Sequence, residues 1–474
     1  MKRKYFTTTL PYINARPHIA HAREFVMADA YKRLYSFFGY ETLLNVGTDE
    51  HGLKIFRKAQ KEKKGIKQYC DEQVRHFKKL CEKLDIEYDL FTRTTDDLHV
   101  EAAQKFWKTC DKNGFIYKKK YKIKYCVGCE LEKTDSDLIN GKCPDHPNQK
   151  IEIIEEENYF FKFSVLQKKL LRLYKQDPDF IKPAKRYNEI VAFVNRGLED
   201  FSISRLKEKM PCGIEVPGDP EHIMYVWFDA LINYVSAIGW PHDMDMFKKW
   251  WPVTQFCGKD NLRQQTAMWQ AMLMAADLPP SEKVLVNGFI TVDNQKMSKS
   301  LGNVIDPLKM SARYGSDATR YLLLSFGVFG EDTDITWKKL DERYNADLAN
   351  GIGNLTNRIV TLYKKVDYTF DFNKGKREVF INNKDLKSAA EEGHLEIELS
   401  DIMKQSRYLD KTIEEEKPWE LLRSDKSAFR ESIEGLSRGV FYIALRLKPF
   451  MPNISSAICE SLVKKDKVHL FPRL

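Results

Sequence analysis

The sequence has no run of apolar residues long enough to cross a membrane. A transmembrane helix needs about 18 or more consecutive, mostly apolar residues, and no stretch of this chain provides them. The first residues, MKRKYFTTTLPYIN, also lack the apolar core of a signal peptide. We therefore expect a cytoplasmic protein with no membrane partner.

The cysteines are too few and too scattered for a disulfide framework. There are nine, an odd number, and only Cys126, Cys129 and Cys143 lie close together in the chain. This argues against a secreted, disulfide-stapled fold, and we expect the other cysteines to be buried thiols. With 43% hydrophobic and 31% charged residues, the composition is that of a folded chain, because enough apolar surface is present to form cores.

Length and net charge set only broad limits. The 474 residues predict about three domains, at ~100–200 residues for each. A net charge of +9 at pH 7 fits a polyanionic partner, but lysines spread over the surface would give the same number. Charge alone therefore leaves nucleic-acid binding open.

The order of sequence patterns predicts an α/β core followed by helices. Lys4 to Thr9 is β-prone, apolar residues recur at helical spacing from Val26 to Phe38, and Leu43 to Val46 is a second apolar run. This is the opening of a parallel α/β sheet. From 115 to 220 a Lys/Tyr-rich run, a cysteine cluster and scattered prolines indicate an inserted domain. Beyond Asp341 helical periodicity dominates, which predicts a C-terminal helix bundle.

Two histidines one turn apart stand where the first strand gives way to the first helix, in Pro17-His18-Ile19-Ala20-His21. In an open α/β sheet, ligands bind at the carboxyl ends of strands, where helix N-termini favour phosphate. Both imidazoles could therefore face a triphosphate. Two surface histidines in a turn are the alternative, and the spacing alone does not separate the two interpretations.

A short basic segment, Lys296-Met297-Ser298-Lys299-Ser300, carries two lysines around a serine. Such lysines supply point charges that can close over phosphates as negative charge develops in phosphoryl or nucleotidyl transfer. A solvated basic loop is the alternative interpretation.

A candidate metal site is formed by Cys126-Val-Gly-Cys129 and Cys143-Pro-Asp-His146. Pairs of ligands at these spacings are typical of the closed, tetrahedral coordination of structural zinc. A redox pair or buried thiols are the alternatives, but a second pair of ligands favours one structural Zn²⁺ per chain.

Together, the histidine motif and the lysine segment resemble the paired signatures of class I aminoacyl-tRNA synthetases. In that family they stabilise the transition state in which an amino-acid carboxylate attacks the α-phosphate of ATP. The resemblance implies that His18, His21, Lys296 and Lys299 are catalytic here. These four residues and Ser298 would also bind ATP, which enters with Mg²⁺.

Within that family, the zinc knuckle in the connective insertion is similar to that of the methionine-specific members. Further matches are Thr9-Leu10-Pro11-Tyr12, Gly47 to Gly52, Tyr225 to Tyr234, and Gly258-Lys259-Asp260. The resemblance implies a methionine pocket in which Asp49 pairs with the ammonium group and the other residues surround the thioether, namely Leu10, Tyr12, Trp227, Ala230 and Tyr234. An aromatic and aliphatic pocket suits an unbranched thioether.

Two segments of the helical part resemble those that read the CAU anticodon in the methionine-specific members. They contain Asn354 and Arg358 in one case and Trp419 in the other. A tryptophan can stack on an unstacked base, and Asn and Arg can hydrogen-bond to base edges. Packing beside a helix start at Pro418 is the alternative for Trp419.

The resemblance implies ATP-dependent ligation of L-methionine to tRNA(Met) through methionyl-adenylate, with release of AMP and pyrophosphate. The implied fold is a split Rossmann-like parallel-sheet catalytic domain with a zinc-binding connective insertion, followed by an all-α anticodon-binding domain. We expect its halves at 1–114 and 221–285, the insertion at 115–220, a lysine-loop and stem-contact region at 286–345, and the helix bundle at 346–474. The sequence leaves no room for an appended dimerising module, so we expect a monomer.

Four residues, at three sites, depart from the family pattern. Ala20 stands where the histidine motif usually has Gly, Asn287 stands where many members have His, and Gln264-Gln265 replace an aromatic-His pair. A methyl group at Ala20 hinders the close approach of nucleotide to backbone that glycine permits. Two other hypotheses stay open: a class I synthetase for another amino acid such as cysteine, and a synthetase-like RNA-binding protein without catalysis.

Overall fold

The computed structural model describes residues 2–129, 131–133, 137–297, 303–367, 369–371 and 384–474. Its strands, in chain order, are β1 Arg3–Thr7, β2 Glu41–Thr48, β3 Leu90–Arg93, β4 Ile116–Cys126, β5 Leu131–Glu132, β6 Glu152–Phe161, β7 Ile181–Lys182, β8 Phe201–Ser202, β9 Ser204–Leu206, β10 Glu215–Val216, β11 Asp219–Met224, β12 Val253–Gly258, β13 Lys283–Asn287, β14 Ile290–Val292, β15 Gln295–Lys296 and β16 Thr333–Asp334.

The α-helices of the described residues are α1 Ile19–Phe37, α2 Leu53–Lys61, α3 Ile66–Lys83, α4 Asp97–Lys112, α5 Gln167–Gln176, α6 Ala184–Asn195, α7 Val226–Ala230, α8 Asn233–Ser236, α9 Met244–Trp250, α10 Trp269–Ala275, α11 Pro307–Tyr314, α12 Ser316–Ser325, α13 Trp337–Arg343, α14 Asn354–Tyr363, α15 Lys384–Glu392, α16 Leu395–Glu416, α17 Pro418–Ser424, α18 Lys426–Leu447 and α19 Pro452–Lys464. Two π-helical segments, Gln264–Met268 and Tyr344–Gly353, precede α10 and α14. None of these described helices is both long and apolar enough to cross a membrane.

A six-stranded sheet in the order β3-β2-β1-β12-β13-β7 forms the centre of the protein. All its pairings are parallel, with Tyr5 beside Leu43 on one side and beside Val253 on the other. Helices cover both faces, so most residues of the central strands β1, β2, β12 and β13 are buried, whichever face they point to. After β1 the chain adds β2 and β3 on one side, and after β12 it adds β13 on the other side. The strand order therefore reverses between β1 and β12, which leaves a crevice at the carboxyl ends of these two strands. The predicted parallel α/β core is confirmed.

The insertion adds two small antiparallel sheets, in the orders β5-β4-β6-β8 and β10-β11-β9. The long β4–β6 pair runs from Ile116 beside Phe161 to Tyr125 beside Glu152, and it carries the cysteine knuckle at its far end. One strand of this span behaves differently, because β7 pairs with β13 and extends the parallel sheet. The insertion is therefore attached to the core at its middle as well as at its ends.

The C-terminal part is helical, as predicted. Buried apolar residues recur along α14 and α16, including Leu355, Ile359, Leu395 and Leu399. These helices join the same apolar core as α1 and α12. At the junction, the fully buried Arg320 pairs with Asp29 of α1 at 2.6 Å and donates to backbone carbonyl oxygens near the start of α19.

Candidate functional site

A cavity of about 700 Å³ opens at the carboxyl ends of β1, β2, β12 and β13. It brings together the histidine motif, all six residues expected around methionine and part of the cysteine knuckle. The expected residues in its wall are Leu10, Tyr12, His18, His21, Asp49, Cys129, His146, Trp227, Ala230 and Tyr234. The crevice that the sheet topology predicts is thus where the sequence motifs converge.

Tyr12, in the segment after β1, lies beside Asp49, which follows β2. Asp49 N–H donates to Pro11 O at 3.0 Å, and Ile13 N–H donates to Asp49 O at 3.2 Å, which extends the pairing of β1 with β2. The buried Asp49 carboxylate also accepts a hydrogen bond from the His51 backbone at 3.3 Å. A carboxylate fixed in this way beside an aromatic ring suits a ligand that carries an ammonium group.

His18 and His21 stack on each other at the N-terminus of α1. Their ring centroids are 3.8 Å apart, and the backbone N–H of His18 donates to His21 Nδ1 at 3.3 Å. Burial, together with the charge of a protonated His18, lowers the pKa of His21 well below its ordinary value. His21 is therefore neutral and, because Nδ1 accepts, carries its proton on Nε2. A neutral donor at a helix N-terminus favours an anion such as phosphate.

The described residues on both sides of the lysine segment border the cavity. Lys296 ends β15, which pairs with β14, and the next residue, Met297, lines the cavity. Ser298 and Lys299 lie outside the described residues, as does the side chain of Lys296. The chain re-enters with Val304 in the cavity wall and with Ile305 O accepting from Ile19 N–H at 3.3 Å. Both ends of the segment therefore border the same space as the histidines.

The apolar wall comes from α7 and α8. Tyr234 is buried, and its burial raises the pKa of the phenol. Gln265 Nε2 donates to the Tyr234 hydroxyl at 2.8 Å, and Gln265 Oε1 accepts from Gln255 Nε2 at 2.8 Å. Gln265, one of the departures from the family pattern, therefore orients the tyrosine. The part played by Gln255 was not predicted, since nothing in the sequence links it to Tyr234.

A buried charged network supports this wall from behind. The Asp229 carboxylate accepts from His51 Nδ1 at 2.5 Å and from His99 Nε2 at 2.8 Å. Burial opposes protonation of His51, but the Asp229 charge outweighs it, so the pKa of His51 is raised. Burial likewise opposes ionisation of Asp229, but His51 and His99 hold the pKa of Asp229 below its ordinary value. The network ties α7, which carries Trp227 and Ala230, to the segment of Asp49.

This network was not predicted from the sequence, although two of its charged residues lie inside motifs that were identified there. His51 lies in the Gly47–Gly52 motif and Asp229 lies in the Trp227–Ala230 motif. A charged residue inside a motif that otherwise lines an apolar pocket indicates a buried pair, because unpaired charges are rarely buried.

The four residues of the cysteine knuckle converge to form a site suited to a metal ion. One ligand atom from each of Cys126, Cys129, Cys143 and His146 lies within 4.8 Å of all the others. Gly128 permits this packing, because a Cβ there would lie 2.3 Å from the His146 ring. Three thiols and one imidazole are ligands that zinc favours, so the cluster is compatible with zinc.

The knuckle also forms part of the cavity wall, which the sequence did not predict. Gly128, Asp145 and His146 border the cavity, and Lys54 Nζ of α2 donates to Gly128 O at 2.8 Å. Lys54 thereby joins the insertion to the wall that also contains Tyr12, whose ring centroid lies 5.8 Å from the same ammonium group.

The expected anticodon residues lie on the helical part. Asn354 is exposed at the start of α14, and Arg358, one turn later, pairs with Asp410 of α16 at 2.6 Å and with Glu414. Trp419 lies near the start of α17 with 39% of its surface exposed. This exposure shows that Trp419 is not a simple core residue and leaves one part of the indole accessible.

The sequence comparisons agree on one family. Residues 4–152 and 147–360 match the sequence model described as tRNA synthetases class I (M). A methionine–tRNA ligase of Thermosynechococcus vestitus is 39% identical over 475 residues, covering 96% of this chain and 89% of the relative. A methionine–tRNA ligase of Thermotoga maritima is 38% identical, covering 98% of this chain and 76% of the relative.

Solved structures give the same result. Mycobacterium tuberculosis methionyl-tRNA synthetase in complex with methionyl-adenylate superimposes with a TM-score of 0.91 at 32% identity, covering 98% of this chain and 96% of that one. The apo form of the same enzyme gives a TM-score of 0.83 at 29% identity, covering 100% and 98%. The similarity therefore extends through the sheet, the insertion and the helical part.

Proposed function

The chain belongs to the class I tRNA synthetase family and, as a methionine–tRNA ligase, activates methionine and charges tRNA with it; we propose that the 700 Å³ cavity is the activation site. The observation that carries this proposal is that the histidine pair and the six residues expected to bind methionine line one space. Two of the strands that border this cavity lie on either side of the sheet's switch point, where α/β proteins bind nucleotides.

In the first step, a methionine carboxylate oxygen attacks the α-phosphorus of ATP, and the bond to pyrophosphate breaks. His18 and His21 donate hydrogen bonds to phosphate at the start of α1, and Lys296, Ser298 and Lys299 are the further residues proposed to bind ATP. Together they stabilise the charge that develops as pyrophosphate leaves. Mg²⁺ bound to ATP would neutralise part of the triphosphate charge. A terminal ribose hydroxyl of the tRNA then attacks the acyl carbon and releases AMP.

The methionine lies on the β2 side of the cavity in this proposal. Asp49 pairs with its ammonium group, and its side chain lies among the aromatic and aliphatic residues of the wall, namely Leu10, Tyr12, Trp227, Ala230 and Tyr234. Sulfur–aromatic contacts and the loss of water from the thioether favour an unbranched chain there. The buried Asp229 network keeps α7 in place while the pocket fills.

Zinc is the metal that we assign to the knuckle of Cys126, Cys129, Cys143 and His146. With four protein ligands the coordination shell is full, so zinc would supply rigidity and no open position for substrate. The rigid knuckle would then hold Gly128 and His146 at the edge of the cavity. A full shell also argues against a cysteine-specific enzyme, in which zinc would bind the substrate thiol.

The helical part is proposed to bind the anticodon of tRNA(Met). Trp419 stacks on an unpaired base, and Asn354 and Arg358 donate to base edges, with the ion pairs to Asp410 and Glu414 holding the Arg358 guanidinium in place. The domain roles that follow are catalytic halves at 1–114 and 221–285, insertion at 115–220, stem contact at 286–345 and anticodon binding at 346–474. We further propose a monomer that acts in the cytoplasm.

Exchange of labelled pyrophosphate into ATP tests this function, with each amino acid supplied separately and no tRNA present. We expect methionine alone to drive exchange. Exchange driven by cysteine or another amino acid would contradict the pocket assignment. No exchange at all from folded, zinc-loaded protein would contradict the catalytic assignment and favour an RNA-binding role.

A further inference from the structure

The side chain of Asn287 is buried in the cavity wall without hydrogen-bond partners. It ends β13, is only 7% exposed and lines the cavity. Among the described residues neither its Nδ2 nor its Oδ1 has a partner. A buried primary amide that leaves both its donors and its acceptor unused is rare, because both ends have lost water. At the wall of a binding cavity, such an amide indicates a ligand that supplies the missing partners.

The backbone around Asn287 is held in place. Gly288 admits no side chain, since a Cβ there would lie 2.1 Å from Glu331 O. The next residue, Phe289, donates its N–H to Asp332 Oδ1 at 2.9 Å, and Lys259 pairs with the same carboxylate at 2.6 Å. Asn287 is therefore presented at a fixed position, on a segment tied to the turn that follows β12.

The sheet order indicates which part of the substrates Asn287 faces. From Asp49, which follows β2, to Asn287, which ends β13, the sheet passes β1 and β12. Three strand spacings of about 4.8 Å place these residues roughly 14 Å apart. A methionine held by Asp49 is too short to reach Asn287. The triphosphate lies between them, at the histidines after β1, so the nucleoside extends over the ends of β12 and β13.

The contact between β12 and β13 fits this placement. Gly258 ends β12, lies directly beside Asn287 in the sheet and also lines the cavity. With no side chain at Gly258 pointing over the strand ends, a flat or branched ligand can lie close to the backbone there. The Asn287 amide offers a donor and an acceptor side by side, which complement either the amino edge of adenine or the ribose hydroxyls.

We infer that Asn287 hydrogen-bonds the nucleoside of ATP and of the adenylate, and thereby helps this chain to select its nucleotide. The inference rests on the proposed activation site and adds to it a residue that departs from the family's usual histidine. It assigns Asn287 to nucleotide binding and not to the methionine pocket.

The test compares Asn287→Ala with a matched control, Asn158→Ala. Asn158 lies in β6, is 0% exposed and also has an amide without partners among the described residues, but it is not part of the cavity wall. In pyrophosphate exchange we expect Asn287→Ala to raise the KM for ATP about tenfold, which is the loss expected for a hydrogen bond to a ligand. The KM for methionine should change less than twofold, and Asn158→Ala should leave both constants unchanged.

A rise in the KM for methionine alone, or no change in either constant, would overturn the inference. Calorimetric titration with ATP in the absence of methionine gives a second readout, in which Asn287→Ala should weaken binding by the same factor. If Asn287→Ala does not fold, Asn287→Leu keeps the branched shape and removes the donors and the acceptor without adding a charge. It too should raise the KM for ATP.

Nucleotide analogues distinguish the base from the sugar. Inosine triphosphate lacks the adenine amino group, and 2′-deoxy-ATP lacks one ribose hydroxyl. For each protein, the KM for the analogue is compared with the KM for ATP. If Asn287 contacts the group that an analogue lacks, this ratio should be smaller in Asn287→Ala than in the wild-type protein, and that analogue identifies the group contacted. Equal discrimination by both proteins against both analogues would contradict the contact. Exchange by the wild-type protein with methionine tests the proposed function separately. If the wild-type protein is active and Asn287→Ala has the same constants, the inference about Asn287 is wrong and the proposed function stands.

Discussion

The proposed activation cavity and the proposed anticodon face are built in opposite ways. The cavity gathers residues that are far apart in the sequence, and a buried hydrogen-bonded network of Asp229 with His51 and His99 supports its wall from behind. The proposed anticodon face consists of exposed or half-exposed side chains on the C-terminal helices, where Arg358 forms a partly exposed ion pair with Asp410. We therefore expect a change in the buried network behind the cavity to alter stability, a change at the cavity to alter methionine activation, and a change on the proposed anticodon face to alter only tRNA charging.

The largest effect is expected for Asp229→Asn, which removes the charge shared by His51 and His99. Taking one partner from a buried pair costs about 3 kcal/mol of unfolding free energy. His51 has a raised pKa, so its contribution is complete below the unfolded value of about 6.5 and is lost as pH rises through the raised folded value. Asp229 has a lowered pKa, so its contribution is present above about 3.9 and is lost as pH falls through the lowered value.

Thermal unfolding of Asp229→Asn and wild type across pH measures this. The difference in melting temperature should be greatest between about pH 4 and 6.5 and smaller at pH 9. A difference that does not change with pH would mean that Asp229 acts through packing and not through charge.

Next in size is Lys299→Ala, which removes a charge proposed to face the leaving pyrophosphate. Pyrophosphate exchange should slow about 100-fold, as for the loss of one group that stabilises a transition state. Lys309→Ala removes an exposed lysine of α11 and is the matched control. Binding of tRNA, followed by filter retention, should be the same in both variants. Equal loss of tRNA affinity and exchange in Lys299→Ala would indicate a general RNA-binding segment.

Trp419→Ala should weaken tRNA binding at the proposed anticodon face and leave methionine activation unchanged. Loss of one stacked base is worth about 1–3 kcal/mol, so the KM for tRNA in aminoacylation should rise about tenfold or more. Exchange without tRNA should stay unchanged. Tyr408→Ala provides a control, because Tyr408 is an exposed aromatic residue of α16 to which no anticodon role is assigned. If Trp419→Ala instead melts at a much lower temperature, the indole is a packing residue.

The smallest effect is expected for Ala20→Gly. Ala20 lines the cavity in the first turn of α1, where glycine would allow closer approach of the nucleotide. The KM for ATP should fall about threefold, while helix stability decreases slightly because glycine disfavours helix by about 1 kcal/mol. Steady-state exchange at varied ATP concentration checks this, and an increase in KM would show that the methyl group contributes a favourable contact.

Local patterns predicted much of this architecture. The spacing of apolar residues predicted the first strands and helix of the α/β core and the C-terminal helices, because the periodicity of a strand or a helix depends on residues that are close together in the sequence. The stacking of the histidine pair could be anticipated for the same reason, and the convergence of the cysteine knuckle could be anticipated because each of its two ligand pairs spans four residues. The pairing of β7 with β13, the hydrogen bond from Lys54 to Gly128, and the Gln255–Gln265–Tyr234 chain could not. These contacts join separate segments of the chain. The glutamine–tyrosine chain is determined only when the core itself closes, and the other two contacts only when the insertion docks on the core.

Mass spectrometry of the intermediate tests the central claim most directly. Purified protein is incubated with ATP, Mg²⁺, pyrophosphatase and an equimolar mixture of the twenty amino acids, and the bound small molecules are released by acid. We expect methionyl-adenylate to be the predominant adenylate, at about one per chain. Another aminoacyl-adenylate in its place, or none from folded protein, would contradict that claim.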